Sequence, residues 1–101
     1  MKFEIFWRKM TTEVSSSRDF TTLKQKKKFE VKYYGGLIYV TPQSTQKERP
    51  VNQEQFLQVW NTAKKFAKHE QFKVGNYSQI TYNASYILAL MKHVLGEGDI
   101  E

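Results

Sequence analysis

Two sets of side chains in this sequence have the types and spacing to do chemistry. In the first, Glu30-Val31-Lys32 follows Asp19, matching the Asp…Glu-x-Lys pattern of metal-dependent nucleases. In such a site two carboxylates hold a divalent cation while the lysine activates water or steadies charge. On a strand, Glu30 and Lys32 project from the same side. Against this, Arg18 stands where the pattern carries proline, and Glu-x-Lys arises easily by chance in a lysine-rich chain. In the second set, Lys32, Tyr34 and Tyr39 combine flat rings with positive charge, and Lys26, Lys27, Lys28, Lys47 and Arg49 flank them. Rings stack on unpaired bases while cations follow phosphates, and a two-stranded ribbon can enter a DNA major groove. Tyrosine is also a good strand former, so an ordinary wet sheet face would use the same residues.

The second set predicts a non-catalytic nucleic-acid-binding module with DNA as its partner. The small metal-dependent nuclease of Asp19, Glu30 and Lys32 is one alternative. A protein-interaction or homo-oligomer module, with Tyr34, Leu37 and Tyr39 as its interface, is the other. Lys32 in the middle of that patch counts against it, because lysine is depleted in interface cores.

Other chemistries lack their residues. Zero cysteines exclude a disulfide framework, a thiolate zinc site and a cysteine nucleophile, and fit a cytoplasmic protein. His69 and His93, each near the end of an expected helix, suit the helix dipole and need no catalytic role. No Gly-x-Ser-x-Gly elbow, Gly-x-Gly-x-x-Gly turn or phosphate-loop lysine is present. No catalytic residue, metal ligand or cofactor is therefore assigned. Asn76–Tyr86, rich in amides, hydroxyls and tyrosines, could bind phosphate at a helix start, but reads rather as capping and packing chemistry.

The charge is unevenly spread. Sixteen Lys and Arg against ten Asp and Glu give a formal +6. Between Arg18 and Arg49, eight basic residues face only Asp19, Glu30 and Glu48, so five of the six net charges lie there. A basic patch of this kind suits a polyanion. Phe3–Trp7 is interrupted by Glu4 and lacks a signal peptide's apolar core, and Tyr86–Met91 is too short to span a bilayer. No membrane partner is expected.

These residues need elements to hold them. Phe29, Val31 and Tyr33 alternate, Gly35-Gly36 makes a two-residue turn, and Ile38 and Val40 alternate back. A hairpin over 28–41 then buries those five and turns Glu30, Lys32, Tyr34, Leu37, Tyr39 and Thr41 outward, with Tyr34 opposite Leu37. Phe3, Ile5 and Trp7 also alternate, which predicts an N-terminal strand over 2–9, followed by a loop at 11–17. Proline takes the chain out of the sheet after Thr41-Pro42, and residues 49–51 form a short extended piece. Asn52 caps a helix over about 53–69, with Gln55 placed to complete a capping box. A second helix covers about 80–95, with Ser78 or Thr81 as its cap. The fold class is α+β: a small antiparallel sheet with both helices packed on one face. A single domain covers 1–101, with 1–27 as N-terminal strand and loop, 28–96 as hairpin and helical core, and 97–101 as a loose acidic tail.

The run from Phe29 to Gly96 carries a Phe-Glu-Val hairpin, the exit Val40-Thr41-Pro42-Gln43-Ser44, Arg49, the Phe56…Trp60 helix and the stretch Gly75–Leu90. It resembles a short module attached to bacterial restriction-type nucleases and also found in small stand-alone proteins of mobile elements. The resemblance implies a DNA-linked or defence-linked bacterial setting and carries over no functional residue. It covers about two-thirds of the chain and leaves residues 1–27 outside.

Overall fold

The computed structural model describes residues 1–101. Its first element corrects the expected N-terminal strand: α1, Phe3–Glu13, is a helix. Phe3, Phe6, Trp7, Met10 and Val14 fall at helical spacing as readily as Phe3, Ile5 and Trp7 alternate. Burial decides between the two patterns. Phe3, Phe6, Met10 and Val14 are buried, whereas Ile5, which a strand would turn inward, is 36% exposed. Lys2 at the N-cap offers no side-chain cap, so the sequence carries no helix-start signal there.

A four-stranded antiparallel sheet follows in the order β1-β2-β3-β4, with β1 Arg18–Thr21, β2 Lys28–Tyr34, β3 Leu37–Pro42 and β4 Arg49–Val51. The hairpin has the expected register, with Tyr34 opposite Leu37 and Lys32 opposite Tyr39. Gly35 and Gly36 have φ of 58° and 83°, the left-handed pair that a two-residue turn requires. Phe29, Val31, Ile38 and Val40 are buried, and Tyr33 is half-buried. β1 adds Phe20 opposite Phe29, with ring centroids 5.9 Å apart. The extended piece at 49–51 returns to the sheet as edge strand β4, where Pro50 costs no ladder bond.

Two helices complete the chain: α2, Gln53–Ala63, and α3, Ala84–Leu95. Asn52 caps α2 by accepting from the Gln55 amide at 3.0 Å. The Gln55 side chain does not close the capping box. Its oxygen instead accepts from Thr81 Oγ1 at 2.9 Å and Asn83 Nδ2 at 3.0 Å, which ties α2 to the approach to α3. The first helix stops at Ala63 rather than about residue 69, and Gln71 Nε2 donates to the Ala63 carbonyl at 3.0 Å. That bond satisfies a last-turn acceptor which a longer helix would have used. Single-turn 3-10 helices at Lys68–Glu70 and Val74–Tyr77 bridge to α3. There the Tyr77 hydroxyl donates to the Gln71 carbonyl at 2.5 Å, and burial pushes the phenol pKa up to about 12. α3 begins at Ala84 with Asn83 as its cap residue, and Thr81 Oγ1 accepts from the Asn83 amide.

All three helices lie on the inner side of the sheet and share one cluster of buried apolar side chains. Trp7 stands between sheet and α2, its ring 6.3 Å from Tyr33 and 5.3 Å from Phe56. α1 thus bridges the hairpin and α2. The C-terminal residues, expected to be loose, are held. Trp60 Nε1 donates to the Glu101 carbonyl at 2.9 Å, and Lys68 pairs with Asp99 at 2.8 Å.

A polar clasp joins α1, β1 and α3. His93 Nε2 donates to Glu13 at 2.7 Å, and Arg18 pairs with the same carboxylate. The His93 bond, with help from Arg18, holds the Glu13 carboxyl below its usual value of 4.5. A depressed carboxyl pKa contributes stability that is present above about pH 4.5 and lost as pH falls through the folded value. Glu13→Gln is therefore expected to lower Tm at pH 7 by about 1–5 °C, a surface ion pair's worth. Thermal melts of wild type and variant should converge as pH is taken down through the depressed Glu13 pKa.

Candidate nucleic-acid interface

The predicted site residues fall into two groups on different parts of the molecule. Lys32, Tyr34 and Tyr39 lie on the outer sheet face, as the register requires. Lys32 and Tyr34 are exposed, Tyr34 to 71%, and Tyr39 is half-buried against its neighbours. The face is larger than the hairpin alone. β1 contributes Asp19 opposite Glu30 and Thr21 opposite Lys28, and β4 contributes Pro50 opposite Tyr39. Lys28 and Lys32 are thus matched on this face by Asp19 and Glu30, so it is aromatic but not net basic.

Asp19 and Glu30 are direct cross-strand neighbours. The Thr22 amide bonds the Lys27 carbonyl at 2.9 Å, and ladder alternation from there makes Asp19–Glu30 a non-hydrogen-bonded pair, the closer kind. Neither carboxylate has an ion-pair partner within 4.0 Å. They line a shallow hollow of about 240 Å³ with Lys28, Thr41, Gln43 and Gln46. No group of three or more His, Asp or Glu side chains that could hold a metal ion is formed.

The second group gathers at the end of the sheet away from the glycine turn. The β1–β2 loop and the β3–β4 loop both turn there, which places Lys24, Lys26, Lys27 and Lys47 around one edge, with Lys28 shared between this end and the outer face. Thr22 closes the first loop at both ends, donating its amide to Lys27 and accepting the Lys27 amide on Oγ1 at 3.0 Å. Lys26 between them takes φ of 55°. The second loop is tied down by Gln43, whose amide donates to the Lys28 carbonyl at 3.0 Å. Lys26, Lys27 and Lys28 line a groove of about 450 Å³ with Pro42, Gln43, Ser44 and Tyr86. A second hollow of about 410 Å³ adjoins it, shares Lys27 and Tyr86, and adds Lys24 and Ser85.

Arg49 is on the inner side, opposite Val40, and not on the outer platform. Its guanidinium lies 5.7 Å above the ring of Tyr86, in the first turn of α3. Tyr86 belongs to the stretch whose sequence reads as capping and packing in preference to phosphate binding. Nothing in its spacing marks it, because its role depends on α3 meeting β4 and the β1–β2 loop. The rest of that polar stretch does serve packing, with Asn76 bonded to the Glu70 carbonyl at 2.9 Å.

None of Lys24, Lys26, Lys27, Lys28, Lys32, Lys47 or Arg49 takes part in an ion pair. The acids that do pair, Glu13, Glu70, Asp99 and Glu101, lie outside this end of the sheet. His93 is engaged with Glu13, and His69 sits in the first 3-10 turn beside Glu70 at 3.4 Å. Neither imidazole reaches the groove's lining. No helix is long and apolar enough to cross a membrane.

The class of molecule so described is a small α+β domain with an aromatic open sheet face and a concentration of unpaired cations at one sheet end. Compared with protein-family models, curated proteins and solved structures, the chain gives no match.

Proposed function

We propose that the protein is a non-catalytic nucleic-acid-binding module with DNA as its partner. The observation that carries this reading is the set of unpaired lysines around one groove. Cations without carboxylate partners are free to neutralise phosphates, and the gain is the release of condensed counterions. The electrically balanced outer face suits a lesser role, with Tyr34 and Tyr39 offering rings to bases beyond the basic end. Fluorescence anisotropy with a labelled oligonucleotide across a salt series tests the reading. Binding is expected to weaken as a power of salt concentration, with the slope of log affinity against log salt steepening by about one for each neutralised phosphate. Absence of salt-sensitive binding would overturn it.

One observation favours a second reading, the metal-dependent nuclease. Asp19 and Glu30 are adjacent, with Lys32 one step along the same face. A binding module without catalysis is expected to leave supercoiled DNA intact in magnesium or manganese. Nicking that disappears in Glu30→Ala would transfer the assignment to the nuclease.

A further inference from the structure

Arg49 differs from every other cation at the basic end. It is half-buried, stands on an edge strand held by backbone pairing, and rests on an aromatic ring. Its guanidinium has no hydrogen-bond or ion-pair partner in the molecule, whereas the chain's paired arginine, Arg18, is committed to Glu13. Stacking on Tyr86 removes much of the side-chain freedom that an exposed arginine loses on binding, and it leaves the planar N–H edges unspent. An arginine in that state is pre-organised for bidentate contact with a phosphate. Tyr86 is itself fixed by the ring of Phe29, whose centroid is 5.0 Å away. It also lines the groove that Lys26, Lys27 and Lys28 share, so Arg49 meets that groove through Tyr86 and is not itself part of the lining.

We infer that Arg49, positioned by Tyr86, is the specific phosphodiester contact beside a groove that takes a single strand of nucleic acid. The inference rests on the nucleic-acid reading above and adds both the anchoring residue and the strand class. Two features favour a single strand. Lys24, Lys26, Lys27 and Lys28 line a concave junction of two loops and a helix start, which a flexible backbone can enter and a stiff duplex cylinder cannot follow. The hairpin tip, which would have to enter a major groove, has no charged residue between Tyr33 and Gln46. A ribbon inserted there would bring only Lys32 to the flanking phosphates.

The test compares a labelled 20-nucleotide single strand with a duplex of the same sequence, by anisotropy at low salt. Wild type is expected to bind the single strand at least about tenfold more tightly. Arg49→Lys keeps the charge but loses the fork, so affinity should fall about five- to tenfold while the salt slope stays. Tyr86→Phe should match wild type. Tyr86→Leu should fall as far as Arg49→Lys, with circular dichroism confirming that it folds. Equal binding of duplex and single strand overturns the strand assignment. Arg49→Lys binding like wild type overturns the anchoring role, whatever Tyr86→Leu does. In both cases the broader nucleic-acid reading survives. That reading falls only if wild type shows no salt-sensitive binding to either probe, and the inference falls with it.

Discussion

Reversing the charges of Lys26, Lys27 and Arg49 together is expected to bring DNA binding down to that of a neutral control. Every phosphate left without its cation should reduce the slope of log affinity against log salt by about one unit, so the slope of the triple variant drops by about two to three. These side chains have no acidic partners to release, which separates the effect from a fold defect. Melting temperature should stay close to wild type for the Lys26 and Lys27 reversals, since surface substitutions away from special contacts cost within about 0.5 kcal/mol, whereas reversal at Arg49 also gives up its stacking on Tyr86 and is checked for folding by circular dichroism. The companion experiment reverses Lys32 alone. Lys32 lies on a face where Asp19 and Glu30 already balance the lysines, so its reversal is expected to cost no more than one unit of slope. A triple variant that keeps full salt-sensitive binding, or a Lys32 variant that abolishes it, would move the interface to the outer face.

Trp60→Ala is expected to be the most destabilising single change in the chain. Trp60 is completely buried, with its ring 5.0 Å from Phe6 and 5.7 Å from Phe3. Truncating a buried aromatic to alanine costs about 3–5 kcal/mol, a large share of the about 5–15 kcal/mol that holds an ordinary domain together. The indole N–H bond to Glu101 disappears as well. Thermal melting should fall by on the order of 20 °C, and urea unfolding should shift in parallel. Ile5→Glu provides the contrast. If residues 2–9 formed a strand, Ile5 would face the core and the substitution would be ruinous. On α1 it is exposed, and the expected cost is within about 0.5 kcal/mol. A small effect at Trp60 combined with a large one at Ile5 would overturn the helical assignment.

The hairpin was legible from residues alone because everything that defines it is local. Two glycines supply the left-handed turn, and alternation on either side leaves one register that buries valines and an isoleucine. The α2 cap was legible for the same reason, since Asn52 and the Gln55 amide are three residues apart. The crowding of positive charge between Arg18 and Arg49 is likewise a property of the chain itself. Residues 3–14 are different. Their apolar positions satisfy both a period of two and a period near 3.6, and no cap favours either, so the choice fell to the partners Phe56 and Trp60. β1 and β4 are too short to announce themselves, at four and three residues, and exist because a neighbouring strand completes their hydrogen bonds. Only that pairing puts Asp19 beside Glu30 and cancels the charge of the outer face. Only the packing of α3 brings Tyr86 under Arg49, 37 positions away along the chain. Contacts between neighbours in sequence are chosen by backbone geometry and side-chain type. Contacts across such a distance are chosen by the shared burial of a core, and that decided which cations stand together here.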